Sequence, residues 1–211
     1  TRTYFAEMLK HDLGVRYLVE SDFAMLTQCL AGLYDIPDVH GSSLRRVALG
    51  PESHRGGILT QASVLKLTAN GTTTSPVTRG AWVLSKILGD PPRPPPAAVA
   101  AITPDISGAT TVRDQLAKHR TVTTCAACHN RIDPPGFALE SFDVMGGWRD
   151  RYRSLDKGDA VATIANAEPV KYKLGMPVDA SGELPDGRKF SGIDDFRSLL
   201  LTDERRIAKN L

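Results

Sequence analysis

The sequence predicts a mainly α fold carrying one small β-hairpin. Three observations lead there. Apolar residues recur at helical spacing through "SDFAMLTQCLAGLYDI". Ser75-Pro76 opens "VTRGAWVLSKIL" with a capping residue and a proline at the first helical position, where a missing N–H costs nothing. Helical signal is poor across 158–191, where "PVDASGELPDGRKF" sets Gly182 and Pro185-Asp186-Gly187 between short β-like runs.

Taken in order, residues 3–10 read as a helix. The next runs from a cap at Ser21 or Asp22 through Phe23, Leu26, Leu30 and Leu33, and Pro37 and Gly41 end that unit. "HRGGILTQASVLKLTANG" is a loop entering a helix over 57–68, stopped by Asn70-Gly71. The helix capped by Ser75 runs to about Leu88 and ends at Gly89. "PPRPPP" is a polyproline II spacer and marks the main boundary. Beyond it, "TTVRDQLAKHR" is a helix, "GFALESFD" a short one, and "GIDDFRSLLLTDERRIAKN" a final helical stretch broken near Thr202. The expected organisation is a helical segment over 1–90, a Pro-rich linker over 91–110, a core domain over 111–201 and a further helical start over 202–211.

The chain has 211 residues, 41% hydrophobic and 24% charged, with a net charge of +2. That is enough apolar material for a packed core. No basic patch interleaved with aromatics argues for nucleic acid. No apolar run approaches the roughly 18 residues of a membrane span, and no signal peptide is visible. The opening "TRTYFAEMLK" is already helix-like and lacks an initiator Met, so it reads as part of something longer. Three cysteines are too few for a disulfide scaffold. Cys29, inside an apolar helical pattern, is expected to be a buried free thiol.

The other two cysteines belong to "TCAACHNRIDPPGF", where Cys125-Ala126-Ala127-Cys128-His129 forms a CxxCH motif. A zinc site would need further ligands, and no second CxxC or HxxxH is present. A redox dithiol would need an α/β context around the motif. Covalent haem c attachment accounts for each residue. Two thiols on one helical turn reach the two porphyrin vinyl groups, and the adjacent imidazole is held beneath the iron. Small Ala126 and Ala127 let the macrocycle edge approach the backbone. A proximal histidine needs an acceptor for its other N–H. Asp133-Pro134-Pro135-Gly136 offers a carbonyl from a Pro-Pro-Gly loop, which makes Pro135 a candidate second contact. The fold expectation is therefore a helical N-terminal segment plus a cytochrome c-like haem domain with a small hairpin.

"HRGGILTQASVLKLTANGTTTSPVTRGAWVLSKILGDPPRPPP", "HRTVTTCAACHNRIDPPGFALESFDVMGGWRDRY" and "PVDASGELPDGRKFSG" occur in that order. Together they resemble the uncharacterised c-type cytochrome-like domains of large planctomycete and related bacterial secreted proteins. The opening resembles the helical domain that precedes the haem-motif domain in those proteins, and Leu211 falls inside the start of a further one. The resemblance implies haem c attachment and export to the periplasm or cell exterior, with no established reaction.

The sixth iron ligand decides between electron exchange and small-molecule chemistry. Met176, in "GMPV" 47 residues after His129, is the first candidate. His54, in "SHRGG", is flanked by glycines that permit close approach to a flat cofactor. His119 shares an inward face with Val112 and Leu116, though its closeness in sequence to His129 suits a core or propionate contact better. Met145 sits beside Gly146-Gly147. Arg120, Arg131 and Arg149 are candidate propionate partners. Trp82 and Trp148 are core or haem-edge packing.

These residues support three functions, in order of preference. The first is a single-electron carrier serving a redox partner protein or other domains of the same polypeptide. The second is a haem enzyme, peroxidase-like or another oxidoreductase, with His54 or Arg55 at an open distal face. The third is a structural module consolidated by haem.

Overall fold

The computed structural model describes residues 1–94, 110–161 and 170–210. Most of the linker expected over 91–110 lies outside the described residues. Helix accounts for 41% of the described residues and strand for 13%. The fold is mixed α and β, which corrects the mainly α expectation. The physical reason lies in two segments whose apolar spacing or turn content concealed strands.

The first helix, α1, spans Arg2–Lys10 and buries Tyr4 and Met8. A 3₁₀ turn at Val15–Leu18 leads into strand β1, Phe23–Leu26. Its sequence predicts the start of a helix instead. Phe23 and Leu26 are indeed both buried, but on a strand paired antiparallel with β2, Arg45–Ala48. Helix α2, Gln28–Leu33, begins only after Thr27, whose hydroxyl accepts from the Leu30 amide. The cap is thus Thr27 rather than Ser21 or Asp22. Cys29 lies on α2 and is exposed, not buried.

The helix expected over 57–68 is shortened to α3, Ala62–Leu67. Gly56 and Gly57 hold φ of +135° and +66°, values an L side chain resists, and keep the chain turning before it. Helix α4, Pro76–Lys86, is capped by Ser75 as expected. After the linker comes α5, Val112–His119, opened by a capping box in which Thr111 and Asp114 satisfy each other's backbone amides.

Helix α6, Thr123–Phe137, contains the whole CxxCH motif and continues through Pro134 and Pro135. The sequence predicts a break at the Pro-Pro-Gly, because a proline inside a helix lacks a donor and crowds the preceding turn. Packing against α4 overrides that preference. A Cβ on Gly80 would run into the Ile132 carbonyl, and one on Gly136 into the Pro76 carbonyl. The two helices therefore meet backbone to backbone at a pair of glycines. Residues 138–141 form turns rather than the short helix expected from "GFALESFD".

Arg79, on α4, anchors the segment that leaves α6. Its side chain is 0% exposed. It donates to the carbonyls of Leu139 and Phe142, each at 2.7 Å, and of Asp143 at 2.9 Å. Glu140 lies 3.9 Å from it and is also held by Arg149 at 2.9 Å and by the Thr74 hydroxyl. Burial pushes the Arg79 guanidinium down to about 10, against the opposing pull of Glu140.

A three-stranded antiparallel sheet, unforeseen in the sequence, joins β3 (Arg151–Ser154), β4 (Asp159–Ala160) and β5 (Lys173–Pro177), with β5 central. The expected hairpin is present as β6 (Gly182–Glu183) and β7 (Lys189–Phe190) around Pro185-Asp186-Gly187. Helices α7, Ile193–Leu201, and α8, Glu204–Lys209, are separated at Thr202 and Asp203, as the sequence suggested. One apolar cluster runs from Tyr4 through Phe23, Leu65, Val83, Phe142 and Phe196 to Ile207.

Candidate functional site

Cys125, Cys128 and His129 lie on the first turns of α6 at i, i+3 and i+4. That spacing places them along one side of the helix. Both cysteines are free thiols; Cys125 is half-buried and Cys128 exposed. The His129 side chain is 15% exposed. Its Nδ1 lies 2.9 Å from Oδ1 of Asp133, one helical turn on, and the Asp133 side chain is 0% exposed.

With a proton on Nδ1 the imidazole donates to Asp133, and Nε2 is left as the lone-pair nitrogen. The second carboxylate oxygen, Oδ2, has no hydrogen-bond partner among the described residues, and the Arg120 Nε stands 3.9 Å from it. Burial pushes the Asp133 carboxyl above the usual range, while the His129 hydrogen bond and charge, and then Arg120, pull it back. The His119 ring meets the His129 ring edge-on, centroids 4.8 Å apart. The capping box that starts α5 thereby positions His119 and Arg120 against the motif. Arg113 secures the same helix further back. It lies over the Phe137 ring at 3.8 Å and donates to the carbonyls of Asp179 and Ser181.

The sequence-derived candidates divide accordingly. Cys125, Cys128, His129, Arg120 and His119 come together. Pro135 is buried two turns beyond Cys128 and lines a cavity with Leu84, Leu88 and Arg131 that no motif residue borders. The contact made to His129 is the Asp133 carboxylate rather than a Pro-Pro-Gly carbonyl. Met176, in β5, lines a separate cavity of about 260 Å³ with Thr74, Tyr152 and Tyr172, and no motif residue borders it. His54 pairs with Asp194 at 2.5 Å and stacks on Trp148 at 4.3 Å. Arg55 is buried, donating to the Thr60 and Gly146 carbonyls and stacking over Tyr34. Met145 is exposed in the turn after Asp143. Arg131 is paired with Asp90, and Arg149 with Glu140. Trp82 packs against the main apolar cluster.

Sequence reasoning missed Arg79 and Glu140 entirely. It placed Asp133 near the histidine but chose the wrong acceptor atom. The i, i+4 spacing of His129 and Asp133 was the signal, and it counts only if the helix survives Pro134.

Among the described residues, no three His, Cys, Asp or Glu side chains gather as a metal-binding group. No described helix is long and apolar enough to cross a membrane.

Residues 55–152 are similar to a planctomycete-cytochrome-type domain of unknown function. The matching family model is PSCyt3, described as a protein of unknown function (DUF1588). The matched span holds the CxxCH motif, Asp133, both close-contact glycines and the Arg79–Glu140 pair. No curated protein and no solved structure matches the chain.

Proposed function

We propose that the Cys125–Cys128–His129 side of α6 carries haem c and that the domain passes single electrons. The observation that carries this reading is one helical stripe of two free thiols and an imidazole whose Nδ1 is already engaged by buried Asp133. The donor set suits haem better than a bare ion. A structural zinc takes four ligands from protein, whereas a porphyrin brings four nitrogens of its own and asks the chain only for axial ligands.

Each residue then has a task. Cys125 and Cys128 would hold the haem through thioethers, an addition of S–H across each vinyl double bond that loses no atom and needs no oxidant. His129 offers Nε2 as the proximal ligand, and Asp133 fixes its tautomer. Arg120 is the candidate propionate partner nearest the motif. Haem, when bound, supplies a one-electron iron couple. Met176 is retained as the proposed sixth ligand from the sequence alone, although it lines a separate cavity, and it is the first residue to test. The partner is a redox protein or another domain of the same polypeptide. Attachment chemistry belongs to an oxidising compartment, so the proposed location is the periplasm or the cell exterior.

The test is to produce the chain with c-type maturation machinery and record its mass and its oxidised and reduced spectra. Expected are the mass of one covalently held haem and a six-coordinate low-spin spectrum in both states. The ferric spectrum should become high-spin in Met176→Ala. A bare polypeptide from the matured wild type would sink the haem assignment. A high-spin ferric wild type that shifts on adding cyanide would sink the electron-carrier assignment.

A further inference from the structure

We infer that Asp133 is a positioning residue that sets a low reduction potential, its buried carboxylate accepting the hydrogen bond from Nδ1 of His129. This deepens the proposed function and rests on haem attachment at His129.

Three features carry the inference. First, the acceptor is a carboxylate, 2.9 Å from Nδ1, where the sequence suggested a neutral carbonyl. An anionic acceptor draws the N–H proton more strongly and makes the opposite nitrogen a better electron donor. A more basic axial ligand favours the ferric state. Second, Asp133 is 0% exposed, so water neither competes for the hydrogen bond nor screens the charge. Third, Arg120, the arginine facing Oδ2, stands 3.9 Å away without a hydrogen bond to it, so it offsets the carboxylate charge only in part. His129 is therefore the hydrogen-bonded partner of the carboxylate, with Arg120 more distant. Both effects, ligand basicity and nearby charge, have the same sign.

The carboxylate reaches His129 only because α6 stays helical through Pro134 and Pro135. A chain that broke at Asp133 would lose the i, i+4 register. The Gly80–Gly136 contact, far from the cysteines, thus maintains the electronic environment of the histidine.

The experiment is a spectroelectrochemical titration of the matured wild type, Asp133→Asn and Asp133→Glu. Asp133→Asn keeps the shape and removes the charge. It should raise the ferrous-to-ferric ratio at a fixed electrode potential at least tenfold, about 59 mV for one electron. Asp133→Glu should recover part of that shift. An unchanged midpoint in haem-loaded Asp133→Asn would overturn the inference while leaving the haem assignment intact. Absence of haem from the wild type would instead defeat the assignment beneath it. Should Asp133→Asn fail to fold, proton NMR of the ferrous wild type decides. A slowly exchanging, strongly downfield His129 Nδ1–H supports the inference, and a rapidly exchanging one overturns it.

Discussion

At the scale of single residues, the strongest constraint sits away from the motif. Arg79 places a charge at full burial and spends its donors on three backbone carbonyls of the segment leaving α6. Those carbonyls have left the helical ladder, and once buried they need partners. A planar guanidinium spans several acceptors at once, and a lysine ammonium on a flexible stem does not. Arg79→Met should therefore destabilise the protein by about 3–5 kcal/mol, the cost of breaking a buried charged pair by removing one partner. Arg79→Lys should recover little of that loss. Denaturant midpoints for the two variants check this, and a change below about 1 kcal/mol for Arg79→Met would refute it. Nothing in the sequence around Arg79 distinguishes it from a solvated helix arginine. Its role depends on Leu139, Phe142 and Asp143, which lie 60 to 64 positions further along the chain, and no local pattern encodes that distance. The CxxCH motif is legible for the opposite reason, since all of its chemistry lies within one helical turn.

At the scale of elements, boundaries are legible in the sequence where local chemistry decides and hidden where packing decides. Ser75 with Pro76 and Pro185-Asp186-Gly187 each fix a boundary through their own hydrogen bonds or dihedrals, and each stands where expected; Thr111 with Asp114 does the same for α5, a helix expected without its cap. Phe23, Leu26, Leu30 and Leu33 satisfy a helical period, yet a strand joined to a helix at Thr27 buries Phe23 and Leu26 equally well. Pairing with β2 makes the choice, and it is invisible from within the segment. The same holds for α6, where α4 overrules two prolines. Because Gly80 and Gly136 are in backbone contact, even one methyl must push the helices apart. Gly80→Ala removes a poor helix former, which alone would stabilise α4 by up to about 1 kcal/mol. Overpacking should win, with a net loss of about 1–3 kcal/mol or more. The combined Gly80→Ala, Gly136→Ala variant should lose less than the two singles added together, since one separation relieves both clashes. Thermal melts of the three variants check this, and strict additivity would show that the two glycines act independently.

At the scale of the whole molecule, the question is whether the segments before and after the proline spacer fold as one unit or as two. The apolar cluster answers physically, because its members come from both sides of the spacer. Tyr4, Phe23 and Leu65 lie before it, and Phe142, Phe196 and Ile207 after it. Polar ties repeat the pattern. Asn210 donates to the Lys86 carbonyl at 2.8 Å, and Arg206 to the Leu88 carbonyl at 3.0 Å, joining α8 to the end of α4. A core shared this way cannot lose one half without exposing apolar surface of the other, so unfolding should be cooperative. Far-UV circular dichroism and the fluorescence of Trp82 and Trp148, one on each side of the spacer, should give a single coincident transition in denaturant. Ile207→Ala should move both probes together, by about 2–5 kcal/mol. Two separated transitions, or a variant that shifts only one probe, would show that the segments before and after the prolines fold as independent units. The distinction bears on function, because α4 both supports the motif helix and receives α8. In a cooperative unit, a loss of packing at α8 would reach the helix that carries His129 by way of α4.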